Sequence, residues 1–210
     1  MNIGIIGSGH IGATAARLFA DAGHEAALSN FRGPESLGSL VEEIGPRARR
    51  DNRVGRRLRG RGAGGSTVFA HKALPAQTLA GKVVVDAMNY YARRDEIDLS
   101  GSSSTEALAQ RLRDSRVAKA FSTMYYETLR TEGLTSAPAE ERLVLFVAGD
   151  DGEAKTVVSR LIEEIGITPV DTGSLGDGRK QEPGSPVYTC RFYNVPIKPE
   201  QACETLAGMR

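Results

Sequence analysis

One hexapeptide constrains this chain more than any other feature. Gly7, Ser8, Gly9, His10, Ile11 and Gly12 form a G-x-G-x-x-G directly behind the apolar run of residues 2–6. That run is short and ends in glycine, so it reads as a buried strand. From Ile11 the apolar period lengthens. Ile11, Ala15, Leu18, Phe19 and Ala22 share one helical face, and Gly23 stands where a helix would end. Residues 25–28 read as a second strand. Residues 34–44 read as a second helix, with Pro34 in its first turn and Gly45 beyond its end. A strand–helix–strand unit this short implies parallel strands and a right-handed crossover.

Standing alone, a G-x-G-x-x-G carries little weight. Between the strand and helix of a βαβ unit it is a dinucleotide-binding loop. Gly7 permits the tight turn, Gly9 keeps a Cβ out of the path of the pyrophosphate, and Gly12 lets helix and strand close up. The first N–H groups of the helix, and its positive dipole end, then face the phosphates. The end of the second strand selects the nucleotide. An NAD site places a carboxylate there for the ribose 2′-hydroxyl. Here the residues are Ser29, Asn30, Phe31, Arg32 and Gly33, with no carboxylate. Hydroxyl, amide and guanidinium groups can bond a 2′-phosphate, and the Arg32 fork suits it best. The expectation is therefore NADP(H) rather than NAD(H), held by Ser29, Asn30 and Arg32.

The rest of the chain continues the alternation. Residues 81–87, 116–121, 143–148 and 167–170 read as strands, and residues 105–112 as a helix. Asp150 and Glu153 have capping-box spacing. After them Ala154, Val157, Val158, Leu161, Ile162 and Ile165 make a helical stripe closed by Gly166. Residues 101–104 read as a small flexible loop. The last forty residues, rich in Gly and Pro, read as loops with one short helix. The expected fold is α/β: a Rossmann-type doubly wound, mainly parallel sheet with a small C-terminal extension. Residues 1–122 would be the NADP(H)-binding domain, and residues 123–210 would extend the sheet and cover the cleft.

Composition excludes several classes. Apolar residues make up 40% and charged residues 25%, ordinary for a soluble globular chain. The apolar runs fall far short of the roughly 18 residues a spanning helix needs. No basic residue precedes the opening apolar run, so it reads as a strand rather than a leader, and a cytoplasmic location is the expectation. Cys190 and Cys203 have no CxxC or Cys/His companions, which argues against structural zinc and leaves them as thiols.

With those residues in hand, the chain resembles the NADPH-dependent reductases of the deazaflavin coenzyme F420 and their broader oxidoreductase family. The stretches that carry the likeness are IGIIGSGHIGATAARLFADAGHEAALSN, RGPESL, GKVVVDAMNYY, VAKAFSTM and VAGDDGEAK…LIEEIG…PVDTGSL. The resemblance implies direct hydride transfer between C4 of the nicotinamide and C5 of the deazaflavin. The cofactors carry the chemistry and the protein aligns the rings, so no catalytic residue and no metal is expected. It also implies that Gly7, Ser8, Gly9, His10, Ile11 and Gly12 hold the pyrophosphate. Ala87, Met88 and Asn89 would face the nicotinamide, being at a strand's carboxyl end. Phe121, Ser122 and Thr123 would line the hydride site, although relatives commonly carry Asn where this chain has Ser122. The expected partner is a small-molecule redox partner, coenzyme F420 or else another flavin or a small carbonyl compound. A non-catalytic NADP(H)-binding role is the alternative from a different class. No membrane partner is expected, and a homodimer is expected by analogy.

One segment breaks the pattern. Residues 47–61 hold eight arginines and one aspartate, a net +7, leaving −6 for the rest. Residues 47–65 show no apolar period of either kind, where the resemblance implies a strand, a helix and a buried strand ending in a motif like Ala-Val-Pro. An Arg/Gly-rich stretch can be a nucleic-acid-binding segment. The alternative is a reading-frame slip. Synonymous codons can be chosen for residues 50–69 so that a one-base shift reads GTTVSEDASGDVVLVAVPF, which restores a strand and the expected ending. The slip is the favoured reading, with one break near Arg50 and a compensating one near Phe69. On that reading nucleic acid is not a partner.

Two tyrosine pairs, Tyr90–Tyr91 and Tyr125–Tyr126, follow strand ends and read as packing more than as a ring platform. Arg179, Lys180 and Arg191 read as solvated surface, and His24 and His71 as structural or exposed.

Overall fold

The computed structural model describes residues 1–51, 74–91, 99, 101–188 and 197–209. The chain divides into two compact units, Met1–Thr78 and Leu79–Arg210. An α/β, mainly parallel architecture was expected, and both units show it.

In the first unit, β1 (Asn2–Ile6), β2 (Glu25–Ser29) and β3 (Ala48–Arg50) form a sheet in the order β1-β2-β3, parallel throughout. Helix α1 (His10–Asp21) makes the crossover between β1 and β2. Gly23, at φ +91°, turns the chain out of it. The buried face of α1 differs from the expected stripe. Thr14, Ala16, Phe19 and Ala20 are buried, while Ile11, Ala15, Leu18 and Ala22 are only partly so. Short side chains let the helix lie close to the strands. Ala16 packs with Ala26, Leu28, Leu37 and Ala48, and Ile5, Leu40, Val41 and Ile44 close that cluster. Burying a leucine such as Leu28 contributes about 2 kcal/mol.

Residues 34–44 are not one helix. Pro34–Leu37 is a 3-10 turn, and α2 (Gly38–Ile44) follows it and ends at Gly45, φ +92°. The segment from residue 47 was read without a strand, yet β3 pairs with Ala26, Ala27 and Leu28 of β2. Only Ala48 is buried, and Arg49 and Arg50 are exposed. Main-chain pairing made this strand without an apolar pattern to announce it. Residues 52–73, where the frame-slip reading mainly falls, lie outside the described residues, as does His71.

Between the two sheets in sequence lies the short α3 (Ala76–Leu79). In the second unit, β4 (Val83–Asp86), β5 (Arg116–Lys119), β6 (Val144–Ala148) and β7 (Thr168–Gly173) form a sheet in that order. The β4–β5 and β6–β7 pairs are parallel. The β5–β6 pair is antiparallel, through Lys119 and Ala148. Helices α4 (Ser104–Arg111), α5 (Tyr126–Thr131), α6 (Gly152–Glu164) and α7 (Pro199–Ala207) complete it. All five residues of β6 are buried. Val144 and Phe146 pack with Val187 and Ala202, which seats α7 against the sheet with Leu206 and Met209.

Two local expectations change here. The cap of α6 is Asp151, not Asp150. The Asp151 carboxylate accepts the Ala154 N–H at 2.9 Å, whereas Asp150 accepts the Leu175 N–H. Arg116 at the start of β5 grips Asp151 through its Nε and one terminal nitrogen, at 2.5 and 2.7 Å, and that terminal nitrogen also reaches Glu153 at 2.8 Å. That fork holds the Asp151 carboxyl well below the usual carboxylate range and raises the guanidinium in turn. The 101–104 loop runs directly into a helix. Ser103 caps α4 in a capping box with Glu106, and its hydroxyl donates to the Leu175 carbonyl at 2.8 Å.

Candidate functional site

The glycine loop has the geometry its sequence implies. Gly7 sits at φ +113°, and its N–H donates to the Ser29 carbonyl at 2.8 Å, tying the loop to the end of β2. At Gly12 a Cβ would overlap the Gly7 carbonyl oxygen, so the start of α1 can fold back on the turn only with glycine there. Around Gly9 nothing lies within 4 Å of where a Cβ would sit. Gly9 is also the N-cap of α1 and offers no side chain to the helix end. The first amides of α1 are therefore open to a ligand. Gly9 and His10 are exposed, and Ser8, Ile11 and Gly12 are half-buried.

The end of β2 is built differently from the simple reading. Ser29 is buried, and its hydroxyl donates to the Ile5 carbonyl at 3.3 Å. Asn30 is also buried. Its amide NH2 donates to the Ser8 hydroxyl at 2.8 Å and the Ser36 hydroxyl at 3.0 Å, and its carbonyl oxygen accepts the Gly33 N–H at 2.9 Å. Asn30 thus binds the glycine loop to the loop after β2. Arg32 stands apart: it is exposed and pairs with no described residue. The structure brings the glycine loop, Ser29 and Asn30 together and leaves the Arg32 guanidinium in water beside them in sequence.

In the second unit, the ends of β4 and β5 come together. Asn89 donates from its side-chain amide to the Ser122 carbonyl at 3.0 Å. Ala87, Met88 and Asn89 are half-buried, while Phe121, Ser122 and Thr123 are buried. Phe121 takes φ +63°, so the chain turns sharply as it leaves β5. The Ser122 hydroxyl lies 3.4 Å from the side-chain oxygen of Gln181, and Gln181 donates to the Thr172 hydroxyl at 3.1 Å.

Sequence reasoning missed the most unusual part of this region. Lys119 is fully buried, and its ammonium lies 3.7 Å from the Asp86 carboxylate. It donates to the Met88 carbonyl at 2.9 Å. Asp86 accepts the Met88 N–H at 3.0 Å and the Thr105 hydroxyl at 2.6 Å. The available signal was a lysine inside the run of residues 116–121 and an aspartate near the end of the run of residues 81–87. Charged residues at strand ends usually reach water, so the pattern did not stand out.

Other singled-out residues find ordinary places. His24 is buried beside the N-terminal amine and the edge of Phe19. Tyr91 and Tyr188 share a hydroxyl–hydroxyl bond of 2.7 Å. The Tyr125 and Tyr126 rings lie 4.6 Å apart, and hydrogen bonding with Tyr125, then with Glu127, pushes the Tyr126 phenol up to about 12. Arg179 donates to the Gly176 and Gly101 carbonyls, and Lys180 pairs with Asp177. Cys203 is an exposed free thiol, whereas Cys190 and Arg191 lie outside the described residues. Among the described residues, no helix is long and apolar enough to cross a membrane.

A parallel βαβ unit with an open glycine loop at the head of its helix defines a Rossmann-like fold. Comparison narrows this. Residues 2–54 match the family described as NADP oxidoreductase, coenzyme F420-dependent. Over 107 residues the chain is 33% identical to metalloreductase STEAP3 of Rattus norvegicus, covering 51% of this chain and 20% of that protein. The chain therefore spans about a fifth of that relative's length. A hypothetical protein of Sinorhizobium meliloti is 28% identical with a TM-score of 0.70, over 88% of this chain and 91% of that one. A protein of Arthrobacter sp. FB24, described as a candidate F420-dependent NADP-reductase, has a TM-score of 0.66 over 85% and 87%. At 23% identity this last likeness is one of fold.

Proposed function

We propose that the chain is an NADP(H)-dependent oxidoreductase whose second substrate is a deazaflavin of the coenzyme F420 type. The observation that carries the reading is the open cradle at Gly9, with the exposed Arg32 and no carboxylate at the end of β2. NADP(H) would supply or accept a hydride at C4 of its nicotinamide, with C5 of the deazaflavin as the other terminus.

The chain's own groups bind and orient. The amides at the start of α1 bond the pyrophosphate, with Gly7, Ser8, Gly9, His10, Ile11 and Gly12 as the loop. Arg32 donates to the 2′-phosphate. Ser29 and Asn30 are assigned to the same end of the nucleotide; their bonds to Ile5, Ser8 and Ser36 make them organisers of the loop as well. Ala87, Met88 and Asn89 meet the nicotinamide. No side chain is assigned a chemical step.

A second reading replaces the deazaflavin with another flavin or a small carbonyl acceptor. What opens it is the rat relative: a stretch similar to this chain also occurs in a protein named as a metalloreductase, so the likeness does not single out a deazaflavin. A small-molecule redox partner and a homodimer belong to the same proposal, and sedimentation equilibrium tests the latter.

The experiment is a titration of the protein with NADPH and NADH by nicotinamide fluorescence, followed by loss of deazaflavin absorbance on mixing NADPH and coenzyme F420. Binding of NADPH over NADH, with loss of absorbance, is the expected result. No uptake of NADPH would end the reading. Uptake without loss of absorbance would move it to the second acceptor class or to a binding role without catalysis.

A further inference from the structure

Asp86 and Lys119 are register partners at the carboxyl ends of two neighbouring parallel strands. Partners in a parallel ladder send their side chains to the same face. The pair is sealed in: the Lys119 side chain has no exposure and the Asp86 side chain has 1%. Two apolar residues could fill the same space. Removing an ammonium and a carboxylate from water costs several kcal/mol per ion, and their attraction often does no more than offset it. Stability alone is therefore a weak reason for this pair.

What the pair touches gives a stronger one. Its contacts converge on a single residue beyond the strand. The Met88 N–H is taken by Asp86 at 3.0 Å, and the Met88 carbonyl is taken by Lys119 at 2.9 Å. Thr105, fully buried on α4, donates to the other Asp86 oxygen at 2.6 Å and fixes that carboxylate from behind. The lysine stem runs past Gly178, where a Cβ would stand 3.2 Å from its Cδ. The following residue is pinned separately, by the bond from Asn89 to the Ser122 carbonyl. The polar groups of Met88 are thus drawn inward, and residues 87–89 keep one fixed profile on their half-buried side.

We infer that Lys119 and Asp86, backed by Thr105, are positioning residues: they hold the main chain of residues 87–89 in the shape that receives the nicotinamide ring. The inference rests on the NADP(H) reading above. Neither charged group reaches the ring, and both act through Met88.

The test separates the two ideas by reading two ends of one ligand. Saturation-transfer NMR on the full chain with NADPH reports nicotinamide H2 and H4 at one end and adenine H8 at the other. The decisive variant is the double substitution Lys119→Met with Asp86→Asn. It leaves no lone buried charge, and the carboxamide put in place of the Asp86 carboxylate keeps an acceptor for the Met88 N–H. The expected result is an unchanged adenine signal and a nicotinamide signal about threefold or more weaker, since drift of about 1 Å breaks productive contact. The melting temperature should stay near that of the wild type. A role confined to stability predicts the opposite: with stability restored, both signals remain. An unchanged nicotinamide-to-adenine ratio in the double variant would overturn the inference and leave the NADP(H) reading standing. Wild-type protein with no NADPH signal at either end would remove both. Should the double variant fail to fold, Thr105→Val removes only the backing hydroxyl. Partial loss of the nicotinamide signal is expected there, and no loss would overturn the inference.

Discussion

At the end of β2 the side chains are spent on one another, and the main chain of the glycine loop is left open. At the end of β4 the reverse holds: the main chain of Met88 is gripped from inside by two buried charges. The first unit keeps side chains away from the mouth of its glycine loop, and glycine is the means. The second unit fixes a turn with groups that water would otherwise hold. Both arrangements sit at the carboxyl ends of parallel strands, where open α/β sheets meet their ligands. Similar locations therefore admit two ways of presenting backbone, one by absence of side chains and one by their capture.

The contrast can be tested from its largest effect downward. Phe146 is central to β6 and 1% exposed. Phe146→Ala should cost about 4 kcal/mol in urea denaturation, within the range for large aromatic truncations in a core. A loss below about 1 kcal/mol would mean that the second unit is not a packed scaffold for its strand ends. Next, Gly12→Ala drives a methyl into the Gly7 carbonyl and should cost about 3 kcal/mol, at the upper end for overpacking. Gly9→Ala meets open space, so it should leave the melting temperature unchanged while weakening NADPH binding in calorimetry. If both substitutions acted alike, the division between a packing glycine and a ligand-facing glycine would be wrong.

Arg32→Ala should weaken NADPH by about 2 kcal/mol, the worth of hydrogen bonds to a charged group, or roughly thirtyfold in Kd. NADH should be affected little. Equal losses for both nucleotides would remove the basis for assigning NADP.

The smallest effect is one of pH. The Lys180 hydrogen bond, helped by the Ser174 hydroxyl and N–H, lowers the Asp177 carboxyl from 3.8 to about 2. A folded-state value below the unfolded one means the contribution is present above about pH 4 and is lost as pH falls through about 2. The group is partly exposed, so solvent screening limits the effect to less than about 1 kcal/mol. Asp177→Asn should accordingly be less stable than wild type at pH 6 and indistinguishable from it below pH 2. An equal deficit at both pH values would show that the carboxylate charge is not the cause.

How much of this was legible in the sequence follows from the same contrast. A glycine whose Cβ would collide leaves a direct mark, because no other residue can stand there. The hexapeptide at residues 7–12 could therefore be read with its geometry. The apolar strands of the second unit were equally plain, since an unbroken run of buried residues such as β6 admits few readings. The short β3 was not, because its pairing is main chain to main chain and its side chains are mostly arginine. The shared role of Ser29 and Asn30 in organising the loop was hidden as well. A polar residue at a strand end has the same letter whether it faces a phosphate or a neighbouring serine. Lys119 was hidden for a further reason: burial of a charge depends on a partner supplied by another strand. Resequencing is expected to find compensating slips near Arg50 and Phe69, and a confirmed unbroken frame would exclude them.

The seal around Lys119 and Asp86 has a consequence for ionic strength. Dissolved ions weaken attractions across water over a distance of about 8 Å at physiological concentration, but they do not enter a closed interior. The grip on Met88 should be the same in dilute buffer and in concentrated potassium chloride. The hold of an exposed arginine on a phosphate should fade across that range. Added salt would then act as a dial on the exposed arginine alone, while the buried grip on Met88 keeps its strength.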